Sequence, residues 1–208
     1  MRRIPVIALV SCLLTALPAA FADEPVNIAV SDATFQEAIK AYKSKNFVHA
    51  HALFEMQAQA AQHDAQYNLA LLLKTGRGTP QHYPDALMWS WLSYLGGIEK
   101  AKVMADDILD KLNDDSVAAV REKVAERLKA RIDGGDKQAV MQFARYHLEI
   151  AAETDYQKAY FWYSIAAALG LEGGQQGRDA AADELSSEQV LTTQEEARSA
   201  FYGLSFGK

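Results

Sequence analysis

The chain has 208 residues, of which 50% are hydrophobic and 23% are charged. This hydrophobic content excludes general disorder, and the length fits one domain or one short repeat array. The formal net charge of −6 argues against a nucleic-acid partner, because proteins that bind nucleic acids carry a basic patch or stripe.

The N-terminus has the pattern of a secretory signal peptide. Two arginines precede an apolar run over residues 4–17, and the small residues Ala20 and Ala22 supply a signal-peptidase cleavage site. The run is shorter than the about 20 apolar residues that span a bilayer. We therefore expect residues 1–22 to be removed, which gives a periplasmic or secreted chain without a transmembrane segment and with a net charge of −8.

Cys12 offers an alternative, because residues 9–12 (Leu-Val-Ser-Cys) resemble a lipobox whose cysteine carries a lipid anchor. The apolar region before Cys12 would be unusually short, and apolar residues continue after it, so cleavage after Ala22 is favoured. The mature chain would then hold no cysteine, which excludes disulfides, thiolate catalysis and cysteine-based metal sites.

After a lead-in over residues 23–33, the sequence predicts helices and no strands, because no alternating β-branched run bounded by turns occurs. The capping pattern Thr34-x-x-Glu37 predicts that the first helix begins at Phe35. A fourth helix carries Pro84 in its first turn and runs to Gly96. The others are predicted over residues 35–43, 47–62, 64–75, 98–112, 115–132, 136–149, 156–169, 175–185 and 187–202.

The sequence also repeats itself. Residues 65–70 align with residues 139–144 at an offset of 74, and the Tyr-x-x-Ala-x-x-Trp pattern that begins at Tyr83 returns at Tyr156, 73 residues later. Each copy contains units of about 36 residues, which is room for two short helices and two turns. The chain is therefore predicted to be all-α, a right-handed solenoid of helix pairs.

The two halves of this solenoid are predicted over residues 34–134 and 135–204, each with its own closing helix, followed by a tail over residues 205–208. The positions that the copies share are expected to pack the repeat, and they are Ala65, Leu69, Ala70, Gly76, Gly78, Ala86, Trp89, Ala139, Phe143, Ala144, Ala159 and Trp162.

These residues resemble the Sel1-like repeat, a relative of the tetratricopeptide repeat. The family pattern is A-x-x-x-L-G-x-x-Y-x-x-G-x-G followed by D-x-x-K-A-x-x-W, and residues 65–89 and 155–167 are similar to it. Ala70 and Ala144 depart from the pattern, since the family prefers glycine there. The resemblance covers roughly residues 34–204 and implies the helix-pair solenoid. It also implies an adaptor or regulator of an envelope assembly for signalling, secretion, polysaccharide export or motility.

The sequence offers no catalytic, cofactor or metal motif. His49 and His51 are two residues apart on a predicted helix, so they point in different directions and cannot share a metal ion. The acidic cluster within residues 106–115 lacks the spacing of a calcium loop. The glycines within residues 76–80 follow a helix, not a strand, which excludes a phosphate-binding loop.

Four aromatic residues are extra to the repeat pattern and are candidates for partner binding, and they are Trp91, Tyr94, Tyr160 and Phe161. Four consecutive aromatic residues over 160–163 cannot all face one stripe of a helix. Exposed on a concave solenoid surface, such rings would anchor a partner. The alternative is that they pack against neighbouring helices, since repeat helices bury two faces.

We therefore expect a non-enzymatic scaffold or regulator in the bacterial cell envelope that binds a protein or peptide on the concave face of the solenoid. Two alternatives stay open. One is an enzyme or accessory factor that acts on peptidoglycan, and the other is a lipid-anchored structural subunit of an envelope complex.

Overall fold

The computed structural model describes residues 30–204 and 206, and every regular element among them is helical. Cys12, Ala20 and Ala22 lie outside the described residues. The helices are α1 Asp32–Lys43, α2 Phe47–Gln59, α3 His63–Thr75, α4 Tyr83–Leu95, α5 Lys100–Leu109, α6 Asp114–Asp133, α7 Lys137–Glu149, α8 Tyr156–Ala168, α9 Gly174–Ala182 and α10 Ser187–Phe201. The all-α prediction is confirmed for this part of the chain.

The first helix begins earlier than predicted. Ser31 is its N-cap, and the Ser31 hydroxyl accepts a hydrogen bond from the backbone N–H of Thr34. Thr34 therefore lies inside α1, and the prediction that it starts the helix is wrong. The second helix ends at Gln59, three residues before its predicted end, because Ala61 adopts a positive φ of 60° that a helix cannot continue through.

Two glycines set the loop between α3 and α4. Gly76 ends α3 in the left-handed conformation, with φ of 65°. Gly78 also has a positive φ, and a side chain there would overlap the backbone carbonyl of Phe47 at the start of α2. The glycine pair therefore lets the loop approach the preceding helix pair closely.

Consecutive helices pack against each other along the chain from α1 to α5, and then from α6 to α9. The fourth helix also contacts α6 and α7, and α8 also contacts α10. One apolar core extends from Ala38 in α1 to Ala197 in α10. None of the helices in the described region is long and apolar enough to cross a bilayer.

Helix starts repeat along the chain at the spacing of the sequence copies. The seventh helix begins 74 residues after α3, α8 begins 73 after α4, α9 begins 74 after α5, and α10 begins 73 after α6. The elements α3–α6 therefore correspond to α7–α10 in order, and we refer to these groups as the first and second copies.

Most positions expected to pack the repeat are buried, namely Ala65, Leu69, Ala70, Ala86, Trp89, Ala139, Phe143, Ala144 and Ala159. Trp162 is only partly buried, although it aligns with the buried Trp89. Its neighbours Tyr160 and Tyr163 take the buried positions in α8 instead.

Candidate functional site

Three of the four candidate partner-binding aromatics are buried. The exposed fraction is 4% for Trp91, 8% for Tyr94 and 3% for Tyr160, and Phe161 is partly buried against Trp162 at a ring-centroid distance of 5.0 Å. Exposure of Trp91, Tyr94 and Tyr160 on a binding surface is therefore a wrong expectation, and these rings pack as the alternative predicts.

Neighbouring helices account for this burial. In the first copy, the Arg121 guanidinium of α6 lies 5.7 Å from the Trp91 ring centroid. The Arg145 guanidinium of α7 lies 4.8 Å from the Tyr94 ring, and the Tyr94 hydroxyl donates a hydrogen bond to Glu149. Burial and this carboxylate raise the pKa of Tyr94 to about 12. The face of α4 that carries both rings is thus covered by α6 and α7.

The structure places a cleft at the other end of the molecule, between α8, α9 and α10. It has a volume of about 700 Å³. We call it the C-terminal cleft, and its main lining residues are Tyr160, Ser164, Ile165, Ala168, Arg178, Val190, Gln194, Ala197, Arg198, Phe201 and Tyr202.

The floor of the C-terminal cleft is apolar and its rim is charged. Ile165 and Ala197 are buried in the floor, and Phe201 is partly buried beside them. At the rim, Arg178 donates hydrogen bonds to Asp179, whereas Arg198 lies 3.6 Å from Glu195. An apolar floor with a polar rim is the usual composition of a site that receives a side chain of a partner.

The C-terminal cleft has little to offer acid–base chemistry. The lining residues include one carboxylate, Asp179, and that carboxylate is engaged by Arg178. The Tyr160 hydroxyl accepts a hydrogen bond of 2.9 Å from the Gln194 amide, which leaves the hydroxyl oriented along the wall. Paired titratable groups with displaced pKa values, which mark many active sites, are not among its lining residues.

A second crevice, of about 750 Å³, lies where the C-terminal end of α7 meets the loop before α8. His147 is 8% exposed there, and its Nε2 atom has no hydrogen-bond partner among the described residues. Burial, and then the positive charge of Lys158, lower the pKa of His147 to about 4. The ring packs on Phe143 at a centroid distance of 4.8 Å, so it behaves as a neutral core side chain.

Carboxylates of Glu153, Asp155 and Glu184 also line this crevice. They do not converge with His147, since residues 30–204 contain no group of three or more His, Cys, Asp or Glu side chains arranged to hold a metal ion. The Asp155 side chain instead caps α8 by accepting a hydrogen bond from the Lys158 backbone N–H.

A buried polar network joins the two copies, and sequence reasoning missed it. The His63 ring contacts Gln66 through Nδ1 and Gln142 through Nε2, at 2.9 and 3.0 Å. Arg131 donates to the Gln142 side-chain oxygen at 2.6 Å and also to Asp136. These residues come from α3, α6 and α7 and the turn between the last two helices, and no local pattern relates them.

The C-terminal cleft was also missed, although the offset of 73 contains a signal for it. Ser164 aligns with Trp91, Ala168 with Leu95, and Ala197 with Val124. The second copy therefore has smaller side chains at three places where the first copy is filled, and this loss of volume lies at the cleft.

Comparison with protein-family models finds no match to the chain, and a search of curated proteins likewise finds none.

Proposed function

We propose that the chain is a non-enzymatic protein-binding scaffold of the bacterial cell envelope, built as a right-handed solenoid of Sel1-like helix pairs. The regular offsets of 73 and 74 residues between helix starts support the repeat, and the packing of consecutive helices supports the stacking. The basic start, the apolar run and the small residues Ala20 and Ala22 support export.

The observation that carries binding is the C-terminal cleft. It combines an apolar floor at Ile165, Ala197 and Phe201 with guanidinium groups at its rim. We propose that the chain binds a protein or peptide partner, on the concave face of the solenoid and with this cleft as one contact. Trp91 and Tyr94 have no part in the contact, because they are buried by α6 and α7.

Affinity capture tests this function directly. The mature protein, fused to a tag at its N-terminus, is incubated with detergent-solubilised cell envelope, and captured proteins are quantified by mass spectrometry with and without excess untagged protein. We expect at least one protein to be captured saturably and displaced by the competitor, and then to bind in calorimetry after purification. If every captured protein resisted competition, the scaffold proposal would fail.

Two further measurements separate the alternatives. Release of muropeptides from purified sacculi by the protein would point instead to a peptidoglycan-acting enzyme. The mass of the N-terminal peptide from exported protein distinguishes a chain that begins at Asp23 from one that carries lipid on Cys12.

A further inference from the structure

The first copy shows how a helix covers the groove between its second and fourth helices. In that copy α7 lies across α4 and α6. The Tyr146 hydroxyl donates to the backbone oxygen of Arg121 at 3.1 Å, and the Arg121 side chain donates to the backbone oxygen of Ile150 at 2.8 Å. Arg145 donates to the backbone oxygens of Tyr94 and Leu95 at the end of α4.

Beneath this cover the groove of the first copy is filled by its own side chain. Trp91 projects from α4, is 4% exposed, and carries the Arg121 guanidinium over its ring. The groove therefore holds an aromatic ring with a guanidinium above it and a helix across it.

In the second copy the equivalent groove, between α8 and α10, lacks both the ring and the cover. Ser164 replaces Trp91, and the described chain ends without a helix that corresponds to α7 beyond α10. The C-terminal cleft occupies this place, with the Ser164 and Ala197 side chains in its lining.

The rim of the C-terminal cleft supplies guanidinium groups where an inserted ring would lie. Arg178 and Arg198 both line it, and Arg198 stands where the first copy has Ala125. Elsewhere in the molecule arginines cover the buried rings Trp89, Trp91 and Tyr94, at 4.7 to 5.7 Å from the ring centroids. An aromatic side chain is therefore the best complement to this cleft.

We propose that the C-terminal cleft binds an amphipathic helix of a partner protein. This helix lies across α8 and α10 as α7 lies across α4 and α6, and it inserts an aromatic side chain beside Ser164 under the arginines of the rim. The inference rests on the protein-binding function proposed above and specifies the class of partner for it.

The test uses a helix that this chain provides. A fluorescent peptide of residues 136–151, which contains α7, is titrated with the mature protein and followed by fluorescence anisotropy. We expect saturable binding to the wild type. Ser164→Trp restores the ring of the first copy and fills the cleft, so it should weaken binding by about ten-fold or more. A peptide with Tyr146→Ala should be weakened comparably, because it lacks the aromatic anchor.

Leu191→Ala is the matched control, since Leu191 is 67% exposed on α10 and does not line the cleft. It should leave binding unchanged. Circular dichroism and thermal melting show whether Ser164→Trp folds. Amide chemical shifts of the wild-type protein provide a test that no variant affects, because the peptide should shift the signals of residues that line α8 and α10.

Several outcomes would overturn the inference. These are the absence of saturable peptide binding, equal binding to wild type and folded Ser164→Trp, or shifts confined to helices away from α8–α10. A wild-type dimer in sedimentation that Ser164→Trp abolishes would assign the cleft to a second copy of the chain instead. If Ser164→Trp captured the same envelope proteins as the wild type, the scaffold function would stand and the helix-docking inference would fall.

Discussion

The Nε2 atom of His63 in α3 lies 3.0 Å from the side-chain nitrogen of Gln142 in α7. Because Arg131 donates to the Gln142 oxygen, the Gln142 nitrogen must donate to His63, and Nε2 must accept. The hydrogen of the ring then sits on Nδ1 and is donated to the Gln66 oxygen. Burial lowers the pKa of His63, which agrees with a neutral ring in this network.

Gln142→Leu should destabilise the protein by about 1 to 3 kcal/mol, because it leaves His63 and Arg131 without a buried partner. Chemical denaturation with urea measures this change in the free energy of unfolding. Gln138→Ala is the control on the same helix, since Gln138 is exposed, and it should stay within about 0.5 kcal/mol of wild type. Equal stability of Gln142→Leu and wild type would show that the network contributes nothing.

Acid should destabilise the protein through His147. The pKa of His147 is lowered to about 4 in the folded state, from about 6.5 in the unfolded chain, so the unfolded state takes up the proton first. The stability contribution of the neutral ring is complete above pH 6.5 and is lost as the pH falls toward 4. At pH 4.5 this loss amounts to about 2 kcal/mol.

His147→Leu isolates this effect from the titration of carboxylates. Leucine is the matched substitution because Leu73, which is 8% exposed, occupies the equivalent position in the first copy. We expect the difference in unfolding free energy between pH 7 and pH 4.5 to be about 2 kcal/mol smaller in the variant. Identical pH profiles for wild type and variant would contradict a buried, neutral His147.

Local signals were enough to predict ten helices. Asn46 caps α2, Gly76 ends α3, Pro84 sits in the first turn of α4, and Ser186 forms a capping box with Gln189, all as the sequence indicates. These interactions lie within a few residues of the chain, so the sequence reports them directly. The start of α1 was missed because Ser31 and Thr34 are both good N-caps, and Ser31 takes that role.

The site could not be predicted in the same way, because it depends on contacts between distant helices. The pattern of Trp91 and Tyr94 in α4 does not reveal that α6 and α7 cover them. The C-terminal cleft results from side chains that are small, at Ser164 and Ala197, and hydrophobic patterns report where apolar side chains are present. Only a comparison of side-chain volume between the two copies indicates it.

Gly177→Ala should destabilise the protein, although the same change in an exposed helix stabilises by about 1 kcal/mol. An added methyl group at Gly177 in α9 would overlap the ring of Tyr163 in α8. We expect a net loss of about 1 to 3 kcal/mol, measured by urea denaturation. Gln176→Ala, at an exposed neighbouring position, is the control and should be nearly neutral. A stabilised Gly177→Ala variant would mean that α8 and α9 can move apart without cost.

Trp91→Ala should cost about 3 to 5 kcal/mol of stability, because it leaves a cavity beneath α6 and α7. Tyr202→Ala is the contrasting change, since Tyr202 is 79% exposed, and it should alter the unfolding free energy by about 0.5 kcal/mol or less. Thermal or urea melts of both variants provide the comparison. A Trp91→Ala variant as stable as wild type would return Trp91 to the list of surface contacts.

The apolar core that runs from Ala38 to Ala197 passes through both copies without a break, and the His63–Gln142 contact ties α3 to α7 beside it. Arrays whose repeats touch only their immediate neighbours can lose one end while the other stays folded. Here the melting of either half would expose the shared core and strand Arg131 inside it. We therefore expect all ten helices to unfold in one cooperative transition, so that proteases find either the intact chain or none of it.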